Sequence, residues 1–153
     1  MDASLLAFVR GLVAFRRAHP VFRRHRYLTG VEAGELGWFT PAGTPMTQSE
    51  WADSNALALG VYLDGSDAPD IGADGSPLVD DDFVVLVNAW WERLEFTIPD
   101  CRPGLAWRAE LDTFDPAAVA AAPERRAGDR VTVGPRSVLV LRGPRVSVRT
   151  TLI

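Results

Sequence analysis

The stretch that most constrains this chain is DDFVVLVNAWWERLEFTIPD, Asp81 to Asp100. Phe83 to Val87 is an apolar run rich in β-branched side chains and short enough for a buried strand. Leu94, Phe96 and Ile98 then alternate with Glu95 and Thr97, the period-two pattern of a strand with one wet face. Asn88 to Arg93 reads as a short reversal between them, and Pro99-Asp100 as the stop of the second strand. The expectation is a hairpin in the middle of an antiparallel sheet, with a second layer on its inner side.

A chain of 153 residues is long enough for one domain with a core and hardly for two. No apolar run approaches the roughly eighteen residues of a membrane span, and the start of the chain lacks a signal-peptide pattern. Cys101 is the single cysteine, which rules out an intrachain disulfide, suits a cytoplasmic setting and reads as a quiet structural thiol. The net charge is −4, with the signs segregated. Arg10, Arg16, Arg17, Arg23, Arg24 and Arg26 crowd one end, whereas seven aspartates from Asp64 to Asp82 crowd a loop. No nucleic-acid-binding motif accompanies the arginines, and a net acidic chain repels phosphate, so neither nucleic acid nor a membrane is expected as a partner.

Ser4 to His19 reads as a helix capped by Ser4, with arginines at its negative pole and Pro20 as its stop. Its apolar residues, Leu5, Leu6, Phe8, Val9, Leu12, Val13 and Phe15, form too wide a band for a helix lying half in water. Such a helix requires neighbours on most of its circumference: either its own sheet, or a body beyond this chain. Val21 to Gly34 is a basic connection, Leu36 to Phe39 a short apolar piece, and PAGTP from Pro41 a turn. Thr47 to Glu50 has the spacing of a capping box. Further strands are expected over Ala56 to Leu63, Trp107 to Leu111, Arg130 to Val133, Val138 to Leu141 and Val146 to Ile153. A long loop spans Asp64 to Asp82, and Pro116 to Arg126 reads as a surface excursion. The fold class is therefore mainly β: an antiparallel β-sandwich with Greek-key connections, preceded by one N-terminal α-helix.

No catalytic constellation assembles. His19 and His25 are the only histidines, a histidine at a helix end is more often a cap than a base, and no nucleophile motif is present. Asp70, Asp74, Gly75 and Asp81 fit part of a calcium-loop count, but Gly72 occupies a ligand position and Asp81 the place of the final Glu. A solvated turn explains that loop better, so no metal and no cofactor is expected. Asp80, Asp81 and Asp82 are adjacent and loop-borne, unlike the opposed carboxylates of a glycosidase. Trp90 and Trp91 remain as candidate carbohydrate-binding residues: adjacent strand positions face opposite ways, so one ring can be core and the other exposed to stack on a sugar. The plainer reading has both rings closing the end of the sandwich.

In order, LLAFVRGLVAFRRAHPVFRR from Leu5, WFTPAGTPMTQSEWADSNALALGVYLDG from Trp38, DDFVVLVNAWWERLEFTIP and RVTVGPRSVLVL from Arg130 cover most of the chain. Together they resemble the C-terminal region of isoamylase-type glycogen debranching enzymes, glycoside hydrolases of the α-amylase clan. The resemblance implies that residues 1–26 are the last helix of a (β/α)8 barrel with its connection, and 27–153 the β-sandwich beside it. Leu5, Phe8, Val9, Leu12 and Phe15 would then face the barrel or another partner, which answers the over-apolar helix. Enzymes of this family cleave α-1,6 branch points with an Asp nucleophile, a Glu acid/base and a supporting Asp, all on barrel strands. No position here corresponds to any of the three, so the 153 residues alone are expected to be inactive. Two alternatives stand beside this reading: a free-standing α-glucan-binding module using Trp90 or Trp91, and an interaction domain docking on a partner or its own copy through the helix.

Overall fold

A computed structural model describes residues 3–25, 36–66 and 70–145. Helix α1 (Ala3–Ala18) leads, through a single 3-10 turn at Pro20–Arg23, towards strand β1 (Leu36–Phe39). A four-residue helix α2 (Gln48–Trp51) and the strands β2 (Ala58–Leu63), β3 (Asp82–Asn88), β4 (Leu94–Thr97), β5 (Arg108–Asp112), β6 (Arg130–Val133) and β7 (Ser137–Gly143) follow. Five strands form one antiparallel sheet in the order β1-β2-β3-β7-β5, and β4 pairs with β6 in a second, smaller sheet. The mainly β sandwich with an N-terminal helix is as the sequence implies. Ser4 lies inside the helix, whose first described residue is Ala3. The strand expected at Val146 to Ile153 lies outside the described residues.

β3 is the axis of the large sheet. It pairs with β2 from Leu63↔Phe83 to Ala58↔Asn88, and with β7 from Asp82↔Gly143 to Asn88↔Ser137. Its unbroken apolar run follows from burial on both faces. On the inner face Val84 and Leu86 join Leu139 and Leu141 of β7 against Phe96, Ile98, Val131 and Val133 of the small sheet. Trp107 and Tyr62 close this core edge to face, with ring centroids 6.4 Å apart. On the outer face Phe83 and Val140 meet Val21, Phe15 and Phe22 from the end of α1 and the turn after it. The Phe83 ring is wholly buried, between Phe22 at 4.8 Å and Phe15 at 5.7 Å.

The expected hairpin of β3 and β4 does not form: the two strands belong to different sheets. Asn88 is the reason. Its buried side-chain amide donates to the Glu92 and Gly134 carbonyls, each at 2.8 Å, while its Oδ1 accepts from the Trp90 N–H at 2.9 Å. These bonds fold residues 89–93 over the end of the sandwich, and the chain enters the opposite layer at Leu94. Leu94 to Thr97 alternates because only one of its faces is covered: Phe96 is buried and Glu95 exposed.

The segregated charges of the sequence meet at the other end of β3. Asp80 accepts from His19 Nδ1 at 2.8 Å and from the Val21 N–H at 3.2 Å, fastening the end of α1 to the loop. His19 is thus a buried tie between elements and makes no side-chain cap. Asp81 pairs with Arg142 at 2.6 Å, Arg145 bridges Asp64 and Asp82, and an Arg24 Nη2 donates to the Asp64 carbonyl. Removing one member of such a buried set leaves its partner charge unpaired, which is where its energetic weight lies. Burial first, and then the Asp82 and Asp64 charges, raise the Tyr62 hydroxyl above its ordinary pKa. Burial likewise pushes the Cys101 thiol up to about 12, in keeping with an unreactive structural cysteine.

Candidate functional site: the Trp90 groove and the outer stripe of α1

Trp90 and Trp91 lie in the connection after β3, on no strand, so the alternation expected of them is replaced by a direct stack. Their ring centroids are 3.6 Å apart and inclined by only 24°. Trp91 is 59% exposed, whereas Trp90 lines an open groove of about 410 Å3. The backbone of Trp90 is held on both sides, by Asn88 Oδ1 and by the Arg136 N–H that donates to its carbonyl at 2.9 Å. The aromatic platform is therefore fixed before any ligand arrives.

The groove lies where the two layers part. Pro41, Met46, Leu57 and Leu94 supply its apolar walls, and Thr40, Glu50, Asp53 and Asn55 its polar ones. Two backbone bonds hold the walls together: Thr97 N–H to the Pro41 carbonyl, and Ala89 N–H to the Leu57 carbonyl, both 2.8 Å. The turn at Gly43 has φ 79° and passes so close to Thr97 that an added Cβ would lie 2.9 Å from its carbonyl oxygen. The predicted capping box is present and gives the groove a charge: the Thr47 backbone N–H, and then its hydroxyl, hold the Glu50 carboxyl below its usual range. Of these groove residues the sequence reading had singled out Trp90 alone. The capping box, which folds the Glu50 carboxyl back on Thr47 at the groove, was the available signal.

The second feature is α1. Phe8, Leu12 and Phe15 are half-buried on the sheet side, where a cleft of about 290 Å3 separates them from Glu110, Leu111 and Val119. Leu5, Leu6, Val9 and Val13 occupy the adjoining stripe and are 59%, 36%, 45% and 46% exposed. Of the five interface candidates, Phe15 is thus engaged by its own sheet, Phe8 and Leu12 partly so, and Leu5 and Val9 face outward. The candidate metal loop has other partners: the His25 N–H donates to Asp70, Asp74 holds Ser76 in the Gly72–Ser76 turn, and Asp81 faces Arg142. Among the described residues no three His, Cys, Asp or Glu side chains are grouped to hold a metal ion. No helix among them is long and apolar enough to cross a membrane.

Residues 35–142 match the family model described as "Isoamylase, C-terminal". The chain belongs to the isoamylase C-terminal family. The match spans six strands, β7 up to Arg142 and the groove, and stops short of α1. A glycogen operon protein GlgX homolog of Mycobacterium tuberculosis is 37% identical over 92% of this chain, which corresponds to 20% of that protein. Isoamylases of Pseudomonas amyloderamosa and a Flavobacterium species are 27% and 25% identical, each over 74% of this chain and 13% and 14% of their own length. The chain thus spans about a fifth or less of the length of these relatives. Among the described residues, the carboxylates of Asp80, Asp81 and Asp82 are committed to histidine, arginine and backbone partners.

Proposed function

We propose that this chain is the C-terminal accessory domain of a debranching glycoside hydrolase that acts on the α-1,6 branch points of glycogen or limit dextrin. In this reading residues 1–26 are the last helix of the catalytic barrel with its connection, and 27–153 the sandwich that braces it. The observation that carries it is the double-sided α1: one stripe is packed on the sandwich while Leu5, Val9 and Val13 face outward with about half their surface in water. Burying a large apolar side chain contributes roughly 1.5–3 kcal/mol, so an uncovered stripe of this kind has a substantial gain waiting in a second body. The relatives, five or more times longer than the matched region, have the chain length to supply one. An α-glucan is the substrate class that follows, and a cytoplasmic setting fits a protein whose one cysteine is a half-buried free thiol.

The test is to replace the matching region of the Mycobacterium tuberculosis relative with this chain and follow amide exchange along α1. Exchange at residues 5–13 should be slow in the chimera and fast in the isolated chain. The chimera should release linear chains from glycogen limit dextrin, and the isolated chain should release none. Debranching by the isolated chain, or equal exchange in both contexts, refutes the reading. The alternative of an interaction domain is tested by the same stripe: concentration-dependent dimerisation abolished by Val9→Arg, with no protection gained in the chimera, would favour self-association.

A further inference from the structure

We propose that the Trp90 groove is an α-glucan-binding site by which this domain holds a polysaccharide chain. The ligand class rests on the debranching reading above; the site itself rests on its geometry. Its volume of about 410 Å3 lies within the roughly 300–1,000 Å3 typical of small-molecule sites. The wall chemistry selects the ligand. Glu50 is held ionised by Thr47, and Asp53 and Asn55 stand beside it, with no arginine among the lining residues. Phosphates and other anions are repelled by such a wall. A neutral ligand rich in hydroxyls can donate to the two carboxylates and exchange hydrogen bonds with the Asn55 amide and the Thr40 hydroxyl.

The Trp90 indole lines the same groove and is backed by the Trp91 indole, stacked 3.6 Å away. Pyranose rings have apolar C–H faces that lie against indoles, so a carbohydrate satisfies both walls at once, whereas an apolar peptide would strand the carboxylates. Two further observations show the site to be built. The Trp90 backbone is clamped by Asn88 and Arg136, and Gly43 lets the Thr40–Thr44 turn approach β4 as no larger residue could. The groove lies at the Asn88 end of β3, about 20 Å from Asp82 at a rise of roughly 3.3 Å for each residue, while α1 docks at the Asp82 end. A chain held in the groove leaves the outer stripe of α1 free for the barrel.

The experiment is affinity electrophoresis of the whole chain in native gels containing glycogen, with maltoheptaose as soluble competitor. The expected results are retardation in glycogen, its release by maltoheptaose, and roughly five- to tenfold weaker binding for Trp91→Ala and for Asn55→Ala. Both substituted residues are exposed, and unchanged melting of the variants separates lost binding from lost folding. Absence of retardation overturns the proposal, as does retardation that neither substitution weakens. Equal retardation in a β-glucan gel overturns the α-glucan assignment, and release by choline but not by maltoheptaose identifies the Trp–carboxylate wall as a cation cage instead. Loss of glycogen binding with retained protection of α1 in the chimera removes this inference alone and leaves the debranching reading standing.

Discussion

Asn88→Ala is the most informative single change in the sandwich. Asn88 is 1% exposed and joins three backbone segments: β3 itself, the Trp90 turn, and the Val133–Gly134 corner between β6 and β7. The substitution removes two donated bonds of 2.8 Å and one accepted bond of 2.9 Å. At about 1 kcal/mol net for each, the loss is about 3 kcal/mol, and the buried Gly134 carbonyl left without its donor pushes towards the upper end of a range of about 2–4 kcal/mol. For a chain of this length that corresponds to roughly 6–12 °C in Tm, at ~2–4 °C per kcal/mol. Urea unfolding followed by tryptophan fluorescence and by far-UV circular dichroism gives the same quantity independently, as a lower midpoint with an unchanged slope. Asn88→Asp sharpens the test. Its carboxylate can still accept from Trp90 but faces two carbonyl oxygens, so its folded pKa is raised above the unfolded value near 3.9. The variant's stability relative to wild type is greatest below that unfolded value and declines as pH rises through the folded one. A cost below about 1 kcal/mol for Asn88→Ala, or no pH dependence in the Asn88→Asp difference, would refute the claim that this amide diverts the chain between layers.

Three further outcomes follow from the same contacts. Val9→Arg should change the melting of the isolated chain by less than about 0.5 kcal/mol, while Phe15→Ala, which opens a hole against Phe22 and Phe83, should cost about 3–5 kcal/mol; equal effects would contradict the two-stripe description of α1. Asp80→Asn keeps one acceptor oxygen where two are used by His19, Val21 and Asp81, so it should cost about 1–3 kcal/mol and speed amide exchange at residues 15–22 without touching the groove. Cys101 should resist alkylation at pH 8 in the native protein and react on unfolding. Its folded pKa of about 12 lies above the ordinary thiol value of 9.0, so the stability linked to its neutral thiol is intact below 9.0 and is lost as pH rises from there towards 12, which a series of alkaline melts would register.

What the sequence disclosed was whatever its neighbours in the chain decide. The period-two pattern of Leu94 to Thr97, the Pro20 stop and the Thr47–Glu50 capping box all rest on local geometry, and each appears where it was read. The pairing of β3 could not be read that way. An apolar run buried on both faces and a half-buried one six residues later look like a hairpin, unless Asn88 is known to reach Gly134, 46 residues away. The same holds for charge. An arginine-rich start and an aspartate-rich loop read as separate patches, yet the fold sets His19 and Arg24 against Asp80 and Asp64. Trp90 and Trp91 stood out by their rarity, but their stacking depends on leaving the strand at Asn88, and Met46, Asn55 and Leu57 of the groove carried no signal of their own.

The packing of α1 on the sandwich is one-sided in its consequences. The core between the sheets is closed without the helix: Phe96, Ile98 and Trp107 are at most 1% exposed in a cluster that includes no residue of α1. The outer face of the large sheet is not, because Phe83 owes its burial to Phe15, Phe22 and His19. Removing α1 would therefore expose an aromatic patch in the middle of the sheet while leaving the inner core intact. Removing whatever covers Leu5, Val9 and Val13 would expose the other stripe of the same helix. On the proposed reading, in which a second body covers that outer stripe, α1 is the joint between the two, since neither body sheds it without uncovering apolar surface of its own.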